Sequence, residues 1–163
     1  MKTFSYPNAR SIFSGRRISL LLWENKEIVV HPGAVVIVPF IADDVVLIRN
    51  ERPAVHEELW ELPAGTLEEG EEPLECAKRE LEEETGYRAE KIEPLFEAYS
   101  TPGFSNERLF FFKATDLKHV GQNLDDGEKI TVERIPFIKA LAMVKSGAIH
   151  DLKTVAALLR MGL

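Results

Sequence analysis

The stretch from Gly65 to Tyr87, GTLEEGEEPLECAKRELEEETGY, restricts this chain more than any other. Its second half reads as a helix. Glu71 and Glu72 precede Pro73, which suits a first turn where a missing N–H costs nothing, and Gly86 suits a left-handed C-terminal cap. Leu74, Ala77 and Leu81 recur on one predicted apolar face. On the same helix Glu80, Glu83 and Glu84 fall within one arc, because spacings of three and four residues return to one side at about 100° per residue. Like charges so placed cost an isolated helix a few tenths of a kcal/mol (~0.2–0.5) per pair. The fold must therefore leave the arc in water or supply cations to it. Arg79 stands to one side and is expected not to neutralise all three carboxylates. A divalent metal would turn the repulsion into a binding site. The ligands on offer are hard oxygens with no Cys–His cluster nearby, which favours Mg²⁺ or Mn²⁺ over zinc. The same spacing also suits a solvated acidic face.

Around this stretch the chain reads as one α/β (α+β) domain. Residues 1–16 are polar and broken by Pro7 and Gly15, which suggests an irregular arm or a short strand. Arg17–Trp23 and Lys26–His31 form a predicted hairpin about Glu24-Asn25. Ala34–Ile41 is an almost continuous apolar run, the pattern of a strand buried on both faces, and Val45–Arg49 repeats it. Residues 50–64 read as irregular, ending in the turn Leu62-Pro63-Ala64-Gly65. Further strands are expected at Ile92–Tyr99, Leu109–Ala114 and Ile130–Ile135, and helices at 137–145 and 151–161. Trp23, Phe13 and Tyr6 read as core residues.

Composition narrows the chemistry. A net charge of −7 argues against a nucleic-acid partner bound through a basic surface. One cysteine in 163 residues excludes an intramolecular disulfide and fits a reducing compartment. No signal peptide or membrane-spanning run is read, so a cytoplasmic protein with no membrane partner is the expectation. The four histidines, His31, His56, His119 and His150, lack i,i+4 ligand spacing. There is no GxSxG and no GxxxxGK[ST].

Gly65, Glu71, Arg79-Glu80, Leu81, Glu83-Glu84, Gly86 and Tyr87 match GX5EX7REUXEEXGU at every fixed position. The chain thereby resembles the Nudix hydrolase family. That resemblance implies an α/β/α sandwich with a mixed sheet over residues 34–163, preceded by an N-terminal antiparallel β-region over residues 1–33. It implies hydrolysis of a nucleoside diphosphate by metal-activated water. Glu80 and Glu84 would ligate the metal with the Ala64 carbonyl, Glu83 would assist, and Arg79 would orient the glutamates.

Outside the box, Ser100-Thr101-Pro102-Gly103-Phe104-Ser105 resembles the proline-bearing loop of the ADP-ribose pyrophosphatase subfamily. The stretches His31–Val38, Leu47–Pro53, Glu61–Gly65 and Ile149–Thr154 resemble the same subfamily. By this resemblance Arg52, Glu61, Pro102 and Gly103 are substrate-binding candidates. The general base is sought in Asp125-Asp126-Gly127-Glu128, with Glu128 first and Asp126 second. A homodimer with exchanged N-terminal strands is also implied.

The expectation is Mg²⁺-dependent cleavage of ADP-ribose to AMP and ribose 5-phosphate. Hydrolysis of another nucleotide sugar such as GDP-mannose, or a Nudix-fold ligand sensor without catalysis, are the competing readings.

Overall fold

In the computed structural model, which describes residues 4–124, 127 and 129–163, the strands are β1 (Arg10–Ser14), β2 (Ser19–Trp23), β3 (Lys26–Val30), β4 (Ala34–Ile41), β5 (Asp44–Arg52), β6 (Glu57–Glu61), β7 (Ala64–Thr66), β8 (Tyr87–Tyr99), β9 (Arg108–His119) and β10 (Ile130–Pro136). The helices are α1 (Pro73–Thr85), α2 (Phe137–Ser146) and α3 (Leu152–Met161).

The sandwich follows from β4. Its run of apolar residues gives it two buried faces, and alternate residues go to opposite sides. Val35 and Ile37 pack with Leu67, Cys76, Ala77, Leu81, Phe110 and Phe112, which puts α1 on one face. Ala34, Val36 and Val38 pack with Leu47, Leu62, Phe111, Ala140, Ile149, Ala157 and Leu158, which puts α2 and α3 on the other. Parallel pairing of β4 with β9, from Ala34↔Leu109 to Pro39↔Ala114, continues both cores into a second two-faced strand. The mixed seven-stranded sheet runs β10-β5-β4-β9-β8, with β6 paired to β5 and β7 to β4. This is the expected α/β/α architecture.

β1, β2 and β3 make a separate antiparallel sheet. The hairpin turn falls where it was predicted, and Glu24 and Asn25 both take positive φ, 49° and 66°, as a two-residue turn of this twist requires. Phe13 departs from its expected core position: it is 56% exposed on β1, all of whose residues face solvent. Trp23 packs edge-on to Tyr6, and its indole N–H donates to the Pro7 carbonyl.

Three element expectations need correction. Residues 50–64 are not irregular, because β5 continues to Arg52 and pairs with β6 from Ile48↔Glu61 to Arg52↔Glu57. Cross-strand charge pairs such as Arg49–Glu58 replace the apolar alternation that would have marked these strands. β8 and β9 extend to Tyr87↔His119, beyond the apolar segments that were recognised. On α1, Leu74 is 39% exposed; it stands in the first turn, ahead of Cys76, Ala77 and Leu81, which carry the helix onto the sheet.

Gly86 caps α1 at φ 70°. Its position has a second constraint, because a Cβ there would lie 2.7 Å from the Gln122 nitrogen and 2.8 Å from the Gly121 carbonyl carbon. The segment after β9 docks on this end of the helix. Val120 and Gly121 N–H groups donate to the Gly86 carbonyl, Asn123 N–H to Glu83, and the Gln122 side chain to the Glu84 carbonyl.

Gly86→Ala should therefore destabilise by about 2–5 kcal/mol, combining the left-handed penalty with forced displacement of backbone. Gly70→Ala, also at positive φ but with nothing within 4 Å of the added Cβ, should lose only the first part. Equal falls in Tm for the two variants would show that docking of residues 120–123 contributes nothing.

Candidate active site

A cleft of about 1150 Å³ lies between the N-terminal sheet, the β7–α1 segment and the start of α3. Glu80, Glu83 and Glu84 stand on one wall, and Arg52, Asp151 and Lys153 also line it.

The acidic wall is held by two devices. Arg79 donates twice to Glu71, at 2.9 Å each, and its Nη1 donates to Glu80 at 2.6 Å and to Glu83 at 3.0 Å. It thus spans two of the three arc carboxylates, and the third is held elsewhere, in keeping with the sequence expectation. Glu84 is nearly buried and accepts the Ala64 N–H at 2.9 Å. Helix and β7 approach so closely at this point that a Cβ on Gly65 would fall 1.8 Å from the Glu80 carboxyl carbon. The Gly65 of the motif is thus a matter of space, and the Glu80 carboxylate occupies that space. Hydrogen bonding to Arg79 holds Glu71 down at a pKa of about 2, against 4.5 ordinarily, and those bonds in turn raise Arg79.

Among the described residues, no three Asp, Glu, His or Cys side chains already converge as metal ligands. The donor set nonetheless fits a hard divalent cation. Three carboxylates and the Ala64 backbone share one wall, and the nearby Cys76 is buried, with burial raising its pKa so that no thiolate competes.

The other wall is cationic. Arg52, 40% exposed, grips Glu61 through Nε at 2.7 Å and Nη2 at 2.6 Å. Glu61 is wholly buried, is absent from the cleft lining and bonds to Arg52, which does line it. Burial pushes the Glu61 pKa up, but hydrogen bonds and charge from Arg52 and Lys153 outweigh it and hold the carboxylate below its usual range. The bond to Glu61 is the main reason the Arg52 pKa rises.

Pro102 and Gly103 do not line the cleft; the ends of their loop, Ser100 and Glu107, do. That loop is fastened to the N-terminal sheet, with Val29 N–H donating to Phe104 and His31 N–H to the Asn106 side chain. Asp126 and Glu128 lie outside the described residues. Sequence reading missed Lys153, Asp151, Glu107 and His31 as cleft residues. The signal for the first two lay in the 149–154 stretch, whose resemblance to the subfamily assigns no role to either residue.

Two outcomes follow from the acidic wall. Gly65→Ala should move the Glu80 carboxylate and weaken Mn²⁺ binding, read by calorimetry, at least tenfold while changing stability by no more than about 1 kcal/mol, since only the end of a flexible side chain must give way. Unaltered Mn²⁺ affinity would remove Glu80 from the site. For Glu71 the folded pKa is depressed, so its contribution to stability is complete above pH 4.5 and is lost as pH falls towards about 2. Urea unfolding should show wild type more stable than Glu71→Gln at pH 6, with the gap shrinking at pH 3; a constant gap would contradict the Arg79 coupling.

A family model described as NUDIX domain matches residues 30–158. The ADP-ribose pyrophosphatase of Bacillus subtilis (strain 168) is 36% identical over 160 residues, covering 90% of this chain and 86% of that protein. The methanol dehydrogenase activator of Bacillus methanolicus is 36% identical over 158 residues, covering 90% and 85%. A GDP-mannose pyrophosphatase of Yersinia pestis is 43% identical over 105 residues, but this match covers 61% of this chain and 52% of that protein. The crystal structure of an ADP compounds hydrolase matches with a TM-score of 0.79 at 22% identity, over 99% of this chain and 95% of that one, and at this identity it speaks for the fold. With its motif, its sandwich and a family match over most of its length, the chain belongs to the Nudix family.

Proposed function

We propose that this protein is a Mg²⁺-dependent ADP-ribose pyrophosphatase that releases AMP and ribose 5-phosphate, with Mn²⁺ as a substitute metal. The observation that carries the reaction class is the meeting of Glu80, Glu83, Glu84 and Arg52 in one cleft. A diphosphate brings several negative charges. Bare carboxylates repel them, whereas carboxylates beside a fixed guanidinium and a bound cation accept them. The choice of ADP-ribose rests on the B. subtilis relative, matched along nearly the whole chain.

Glu80, Glu84 and the Ala64 carbonyl are the proposed metal ligands, and Glu83 assists. When bound, the metal supplies charge neutralisation at the diphosphate and lowers the pKa of water. Arg79 sets the carboxylate positions and Arg52 binds phosphate oxygens. Glu61 acts by holding Arg52. The general base is assigned to Glu128, with Asp126 as the alternative, on their place in the sequence after β9. The described residues before them, Gln122 and Asn123, bond to the carbonyls of the Glu84 and Glu83 main chain.

A homodimer through the N-terminal region, residues 1–33, belongs to the same proposal. Ile12, Phe13 and Ile18 are exposed there, and among the described residues one edge of β1 pairs with no strand. Residues Gly15 to Ser19 line the cleft, so this sheet bears on the site as well. No helix of the described residues is long and apolar enough to cross a membrane, and a cytoplasmic location is proposed. The Yersinia relative supports GDP-mannose as the second candidate substrate.

Wild type should release AMP from ADP-ribose under Mg²⁺, and Glu84→Gln should lower kcat by at least 100-fold. Faster turnover of GDP-mannose than of ADP-ribose would replace the substrate, while equal activity of wild type and Glu84→Gln would remove the metal-ligand assignment. A wild type inactive on both compounds would favour a ligand sensor.

A further inference from the structure

The proposed reaction uses Arg52 but leaves the cluster behind it unexplained. Glu61 on β6 is wholly buried, and a buried carboxylate with a single imperfect partner is costly, by several kcal/mol (~3–5 when a partner is removed). It has two partners. Arg52 occupies both of its oxygens, and Lys153 Nζ reaches Oε2 at 2.5 Å. Lys153 also reaches Asp151 Oδ2 at 3.0 Å. Asp151 is the N-cap of α3, and the same oxygen accepts the Thr154 N–H at 3.0 Å and the Thr154 hydroxyl at 2.6 Å. One ammonium therefore sits between a buried carboxylate of β6 and the capping carboxylate of α3, with its side chain only 16% exposed.

The charges explain what the ammonium does. Arg52 lies within electrostatic reach of Asp151 and Glu84 as well as Glu61. With Lys153 present, Glu61 and Asp151 share a second cation, and Arg52 has to offer Glu61 only one side of its fork. Its Nη1 has no bonding partner among the described residues, and Arg52 lines the cleft. Without Lys153, two carboxylates would draw on one guanidinium, and Nη1 is the group they would recruit.

We propose that Lys153 is a positioning residue for substrate binding: by sharing the charge of Glu61 and Asp151 it keeps Arg52 turned outward, ready for the anionic diphosphate. This rests on the reading of Arg52 as the phosphate-binding residue. The lysine comes from the last helix of the chain, so the affinity of the cleft for anions depends on the docking of α3.

The test is a double-mutant cycle on Lys153→Met and Arg52→Ala, with ADP-ribose as substrate and folding checked by circular dichroism and Tm. Lys153→Met should raise KM about five- to tenfold and leave kcat within about threefold. Lys153→Arg, which keeps the charge, should stay within about threefold of wild-type KM. In the Arg52→Ala background, Lys153→Met should add no further rise in KM. Independent effects that multiply would mean that Lys153 acts without Arg52 and would overturn the proposal. A fall in Tm with KM unchanged would reduce the lysine to a structural role and overturn it equally. If wild type fails to hydrolyse ADP-ribose, the activity reading falls by itself, and the cycle is read instead on the thermal shift produced by inorganic pyrophosphate. There Lys153→Met should lose most of the shift seen with wild type; an undiminished shift would sink the positioning role.

Discussion

The acidic wall is first of all an electrostatic problem, and one guanidinium bears most of it. Arg79 holds Glu71, Glu80 and Glu83 together and also reaches the Thr66 carbonyl. Without such a centre, carboxylates on successive turns of a half-buried helix would repel one another and spread apart. A lysine could not take its place, since the fork meets Glu71 with two parallel bonds while Nη1 serves two further carboxylates. The arrangement also leaves Glu84 to be managed separately by the Ala64 N–H. The acidic wall is therefore assembled by contacts among the protein's own residues, with Arg79 and the Ala64 N–H fixing its carboxylates in place.

The rest of the fold exists to hold that wall at a fixed distance from a cationic one. β4 permits this because both of its faces are apolar, so helices pack on each side. α1 carries the glutamates on one side of the sheet. On the other, α3 brings Lys153 to Glu61 and thereby governs Arg52. The glutamates thus come from a helix on one face of the sheet, whereas Arg52 comes from β5 and is backed by a lysine from a helix on the other face.

What was legible in the sequence was whatever leaves a local periodic or motif signal. The two-faced strand β4, the turn at Glu24-Asn25, the helix ending at Gly86 and the spacing of Glu80, Glu83 and Glu84 all do so. β6 did not, because its partner residues satisfy it with charge: Arg49 meets Glu58 and stacks on Trp60, so the strand shows no apolar alternation. The pairing of Glu61 with Lys153 was hidden for another reason. Ninety-two residues separate them in the chain, and no local pattern shows that a glutamate at the end of a polar strand will be buried beneath a lysine of the last helix. Leu74 illustrates the converse limit, since periodicity places a residue on a face but does not say where along the helix the sheet begins to cover it.

The two layers meet in three residues, Leu62-Pro63-Ala64. Leu62 N–H donates to the buried Thr154 hydroxyl of α3 at 2.8 Å, and Ala64 N–H donates to Glu84 of α1 at 2.9 Å. Extended backbone sends successive N–H groups to opposite sides, so residues two apart would point the same way if the strand ran straight. That these two reach helices on opposite faces of the sheet means the chain turns between them. Proline suits the turning point: it has no N–H to satisfy, and its carbonyl accepts from Ile37 N–H at 2.9 Å, tying the segment to β4. The segment thus takes one bond from each of three elements, α3, β4 and α1. Thr154 of α3 and Glu84 of α1 are thereby bonded to backbone groups only two residues apart. The last helix and the glutamate-bearing helix thus meet on one short piece of backbone, which fixes α3 in register with a wall built on α1.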